Sequence, residues 1–122
     1  MDELIARLVA NVGVDRATAE KAVGIILDFL SKEGPPDKVQ TLIDKMPGAQ
    51  ALLQAEQASG SGGGMFSMGG IMGAGTRMMS AGLSMGQVQS VTKEVIAFSR
   101  EKAGEEAIGE IVGAIPGLSQ FV

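Results

Sequence analysis

A shift of 69 positions, from 13 to 82, lays residues 13–53 of this chain over residues 82–122 without a gap. Gly13 falls on Gly82, Phe29 on Phe98 and Pro47-Gly48 on Pro116-Gly117. The apolar pairs Ala22/Val91, Ile26/Val95, Leu27/Ile96, Val39/Ile108, Leu42/Ile111, Ile43/Val112 and Met46/Ile115 keep the same register. Repetition at this scale means one supersecondary unit used twice, each copy burying its apolar face against a neighbour. Nearly every polar position differs between the copies, so the repeat constrains architecture strongly and chemistry hardly at all. The expectation is an all-α chain, a compact bundle of six to eight helices made of two pseudo-repeated units of three to four helices each.

Local signals supply the helices. Leu4, Ile5, Leu8, Val9 and Val12 recur at helical spacing opposite Asp2, Glu3, Arg7 and Asn11, predicting a helix over residues 2–11. Gly13 then allows a left-handed turn, and Asp15 offers an oxygen to the free amides of the next helix. That helix, over 16–32, carries Ala19, Ala22, Val23, Ile26, Leu27 and Leu30, widened by Ile25 and Phe29 beyond what a surface helix needs, which makes it the central one. Gly34-Pro35-Pro36 ends it, the glycine read as permitting the reversal and the proline as starting a new helix. Val39, Leu42, Ile43 and Met46 form the third stripe, closed by Pro47-Gly48, and a short helix from Ala49 to about Gln57 turns Leu52 and Leu53 inward. In the second copy Ser84 and Gln87 form a capping box, and Glu105-Glu106 after Gly104 complement a helix dipole. Val88, Val91, Val95 and Ile96 make one stripe and Ile108, Ile111, Val112 and Ile115 the next, with Leu118, Phe121 and Val122 expected to dock.

A chain of 122 residues suits one domain, residues 1–122, read as unit one over 1–57, a Gly/Met-rich connector over 58–76 and unit two over 77–122. With four Phe and neither Trp nor Tyr, the core must be aliphatic, which favours packed helices over a sandwich. Cysteine and histidine are both absent, removing disulfides, thiol nucleophiles and the commonest general base and transition-metal ligands. A formal net charge of -4, interspersed in sign, repels phosphate backbones and argues against nucleic acid as a partner. The acidic start Met1-Asp2-Glu3 is unlike a secretory signal, and the expectation is a cytoplasmic protein. Most of the fourteen carboxylates sit on the polar sides of their helices and read as solvated surface rather than as a carboxylate active site, Asp28 and Lys32 forming an ordinary pair four residues apart.

The composition break is Ala58 to Thr76, ASGSGGGMFSMGGIMGAGT, which holds no charge. A phosphate cradle is excluded, because no Gly-Lys-Ser or Gly-Lys-Thr follows. Met65, Met68 and Met72 have the softness and helical spacing for Cu(I), but thioethers in an aliphatic helical protein serve as adaptable filler, and no metal or other cofactor is expected. Gly69 and Gly73, and Gly70 and Ala74, lie four apart and make a small-residue face suited to close helix contact. The stretch reads as a linker leading into a helix over 70–81, with Met72, Met78, Met79 and Leu83 as its apolar face. Met65, Phe66, Met68, Gly69, Ile71, Met72 and Gly73 are its candidate interaction surface. Two partner classes stand: protein, either a second copy in a homodimer or another chain, and, as the alternative, a membrane or other apolar surface. The second is held down by the lack of Lys or Arg before Arg77.

The run GVDRATAEKAVGIILDFL, the proline-rich break, VQTLIDKMPGAQALL, the Gly/Met/Ser-rich middle and the closing AIPGLSQFV resemble the small bacterial proteins grouped as the VcgC/VcgE-like domain of unknown function. They are also similar to a related helical family with a glycine turn, an Ala-rich helix and a Leu-Pro turn, where this chain has Met46 and Ile115 before the proline. The likeness spans most of the chain. It implies an all-helical bacterial protein and brings no catalytic residues, so the expected function is that of a non-enzymatic interaction or structural module.

Overall fold

A computed structural model describes residues 2–46, 48–58, 70–115 and 118. These residues form seven α-helices and no strand: α1 (Asp2–Val12), α2 (Arg16–Glu33), α3 (Pro36–Lys45), α4 (Ala49–Ala58), α5 (Gly70–Ser80), α6 (Met85–Ala103) and α7 (Glu105–Ala114). The caps read from the sequence are present. Gly13 has φ +86°, and the amide of Thr18 donates to the Asp15 carboxylate at 3.1 Å. Ser84 accepts from the Gln87 amide while the Gln87 side chain accepts from the Ser84 amide, closing the box at the start of α6. Ser84→Ala is expected to cost about 1 kcal/mol, read as a fall of roughly 4 °C in Tm.

α2 touches α1, α3, α4, α5 and α6, and every residue from Ala22 to Leu30 is buried. That is why its apolar stripe is wider than one face. α6 is its counterpart, packed on α1, α2, α3, α5 and α7. One continuous core joins Leu4, Ile5 and Leu8 of α1 to Leu27 of α2, Leu42 of α3, Val91, Ile96 and Phe98 of α6 and Ile111 of α7, with Leu118 buried beside them. Two residues assigned to apolar faces lie outside it. Val9 and Met79 are exposed, each about 100° around its helix from a buried neighbour, Leu8 and Met78. The contact face of a helix with few neighbours is narrower than its sequence stripe.

The turn at Gly34 differs from the sequence reading. Its φ of -93° and ψ of 177° are extended backbone open to any residue. Space makes the demand instead: a Cβ there would meet the Leu30 carbonyl oxygen at 2.8 Å and Val39 Cγ2 at 3.2 Å. Pro35 is the cap of α3 and Pro36 its first residue. Among the described residues the left-handed positions are Gly13, Gly48, Gly82 and Gly104. No helix among the described residues is long and apolar enough to cross a membrane.

Candidate functional site

Three helices converge on a buried polar cluster. Lys21, Asp28 and Lys32 lie seven and four residues apart on one side of α2, so they share a face. α4 brings Glu56 to that face and α5 brings Arg77. The guanidinium of Arg77 donates from Nη1 to Asp28 Oδ2 at 2.9 Å and from Nη2 to Glu56 Oε1 at 3.1 Å. Lys32 Nζ lies 3.0 Å from Asp28 Oδ2, and Lys21 Nζ lies 3.7 Å from Glu56 Oε2. Asp28 is 1% exposed and Glu56 4%, whereas the Arg77 side chain keeps 21%. Asp28 and Glu56 are thus not the solvated surface carboxylates that helical spacing suggested. α4 and α5 lie over the polar side of α2 and enclose them.

The close seat of α4 has its own cause. A Cβ at Gly24 would stand 3.0 Å from the Leu52 carbonyl oxygen and 3.3 Å from Glu56 Cβ, so any side chain here would press the two helices apart by a few tenths of an ångström. Beside that contact runs an open groove of about 250 Å³, lined by Ala17, Glu20, Lys21, Gly24, Leu52, Ala55 and Glu56.

Electrostatically the cluster is a fastening. Burial alone would push the Asp28 carboxyl up, but hydrogen bonds from Arg77 and then Lys32, with the charge of both, hold it below the usual carboxylate range. A carboxyl serving as general acid or base near neutral pH needs the opposite displacement. Asp28 Oδ1 meets no hydrogen-bond partner among the described residues. Those residues also hold no group of three His, Cys, Asp or Glu able to bind a metal ion.

Two further ion pairs tie helices early in the chain to helices late in it. Arg7 of α1 donates to both oxygens of Glu101 on α6, at 2.7 and 3.0 Å, and also reaches Glu3. Its guanidinium carbon and Lys102 Nζ each stand 5.3 Å from the centroid of the buried Phe98 ring. The hydrogen bond from Arg7 holds the Glu101 carboxyl below its ordinary value. Lys38 of α3 meets Glu110 of α7 at 2.6 Å.

Of the surface read from the sequence, Met65, Phe66, Met68 and Gly69 lie outside the described residues. Ile71 and Met72 fall in the first turn of α5, and their side chains are likewise outside the description. Gly73 is buried within α5, as is Ala74 beside it, so this end of the small-residue face is packed inside the molecule. α5 begins inside the stretch read as connector, at Gly70. The sequence reading names Arg77 only as the first cation after the uncharged stretch, yet one signal marks it further: no other charge stands between Glu56 and Lys93. Comparison with known protein families, with curated proteins and with solved structures finds no match for the chain.

Proposed function

We propose that this protein is a non-enzymatic, cytoplasmic interaction module, two copies of one helical unit around a shared core, which offers the uncharged stretch ahead of α5 to an apolar partner. Support for the two copies comes from helix positions: α5, α6 and α7 begin and end within one residue of α1, α2 and α3 moved by 69. It comes also from packing, since α1 lies on α6 and α5 lies on α2, the exchange a twofold-like pair makes. The loose family likeness of the sequence points to a bacterial origin.

The observation that carries the interaction reading is the position of Arg77. Glu56 stands just before residues 59–69 and Arg77 in the helix just after them; Arg77 is fastened to α2 at Asp28, Glu56 at Lys21, and the two to each other. Both flanks of a charge-free stretch containing Met65, Phe66 and Met68 are therefore tied to one helix. Methionine and phenylalanine among glycines suit adaptable apolar contact. The partner proposed is a second copy of the chain.

Sedimentation of the native protein over a concentration series tests this against the M65S/F66S/M68S variant. The wild type is expected to gain mass reversibly with concentration, and the variant to stay monomeric with an unchanged Tm. A wild type that is monomeric throughout overturns the reading. Flotation with neutral vesicles, abolished in the same variant, would move the contact to a membrane surface, where it would have to be peripheral given the lengths of the described helices.

A further inference from the structure

We propose that two copies of this chain can also join by exchanging α5–α7, each copy completing its core with the second half of the other. The second half finds much of its packing on the first. α5 lies on α2, α6 meets α1, α2 and α3, and α7 meets α3. The ion pairs run the same way: Arg77 to Asp28 and Glu56, Arg7 to Glu101, and Lys38 to Glu110 each join a residue before 59 to one after 69. Within its own half the main seams of α5–α7 are α5·α6 and α6·α7, and the core has no internal division between halves.

Nothing in such an interface specifies which chain supplies the second half. The halves are joined by residues 59–69, with five glycines, three serines and no charge. At most about 3.6 Å per residue, these eleven positions span up to roughly 40 Å. The monomer and the exchanged dimer then share the same helix contacts and differ in how the second half is delivered. A tether of eleven residues gives an effective concentration of order ~1 mM, so micromolar protein folds onto itself and millimolar protein divides between the two forms. Exchange of identical elements is a low-cost route to a dimer. Once formed, the two species interconvert only by unfolding, so each persists long enough to be isolated.

The test refolds the full chain from denaturant at ~1 mM and at ~10 μM and measures mass after separation, the first bracketing and the second lying far below the tether's effective concentration. A persistent dimer is expected as a substantial fraction at the higher concentration and at a few per cent or less at the lower. A second arm refolds D28R with R77D. Each variant alone sets like charges against each other across the α2–α5 seam, whereas in a mixed exchanged dimer one lobe regains the wild-type Asp28–Arg77 pair. The mixed dimer is expected to unfold at a higher temperature than either variant, including the case in which neither folds alone. Monomer at both concentrations, or a mixture no more stable than its components, overturns the proposal. The exchange does not use Met65, Phe66 or Met68, so it persists in the M65S/F66S/M68S variant, which separates its failure from failure of the surface contact.

Discussion

Arg77→Met is expected to lower stability by about 3 kcal/mol at neutral pH, a fall of roughly 12 °C in Tm. Methionine keeps the aliphatic body of the side chain, so the loss reports the charge and its two hydrogen bonds. Removing one member of a buried ion pair costs most because the remaining charge is left without compensation. Here two carboxylates, Asp28 and Glu56, lose their shared cation. The figure is set at the low end of the usual range because Lys32 still stands 3.0 Å from Asp28 and Arg77 is itself one-fifth exposed. Arg77→Lys is expected to recover only part of the loss, since an ammonium cannot reproduce a planar fork that reaches two carboxylates on two helices.

The pH dependence of this loss has a definite sign. Asp28 in the folded protein is held below the usual carboxylate value, so its stabilising contribution is complete above the unfolded pKa of about 4 and disappears as pH falls through the lower folded value. In Arg77→Met the hydrogen bond that opposed burial is gone, and the folded pKa moves upward. The stability gap between wild type and variant should therefore narrow as the solution is acidified from neutrality toward and below about pH 4. Thermal melts across that range measure it. A constant gap, or a variant within a degree or two of wild type at pH 7, would show that the cluster is not the fastening described.

The helices were legible in the sequence because caps and periodicity act locally. Asp15 and Ser84 sit where their oxygens meet free amides, and the stripes of α2, α3, α6 and α7 are buried as their spacing required. The site was not legible, because its parts are ordinary when taken singly. Asp28 beside Lys32 has the spacing of a solvated pair, Glu56 closes an alanine-rich helix, and Arg77 follows a run of glycines. Burial is decided by tertiary contacts that leave no trace in a single helix pattern. One inference was within reach: if α2 is central and buried all round, the aspartate within GIILDFL is buried too, and a buried carboxylate needs a cation. The one charged residue between Glu56 and Lys93 was then the natural partner. Gly34 illustrates the reverse error, in which a glycine taken as a conformational device is required for space.

Gly24→Leu is expected to undock α4 and cost about 3 kcal/mol. A leucine Cβ at this position starts 3.0 Å from a backbone oxygen, which has no rotamer by which to move aside, and the rest of the side chain has to enter the α2–α4 seam. Gly24→Ala places only that first carbon, and the gain of about 1 kcal/mol in helix propensity offsets part of the crowding, so its net effect is expected to be the smaller. The size of the leucine effect is bounded by what docking of α4 is worth. Ala49 and Leu53 are its buried apolar anchors, Leu53 contributing about 2 kcal/mol, and the remainder is the fastening of Glu56 to Arg77 and Lys21. Local release therefore precedes global unfolding. Amide exchange should quicken through Ala49–Ala58 while α6 and α7, which have no close seam with α4, keep their protection. Because Glu56 leaves with α4, Arg77→Met should cost less in the Gly24→Leu background than in wild type, the non-additivity expected of residues sharing one network. Strictly additive losses would mean that the tight helix contact and the ion-pair cluster are independent.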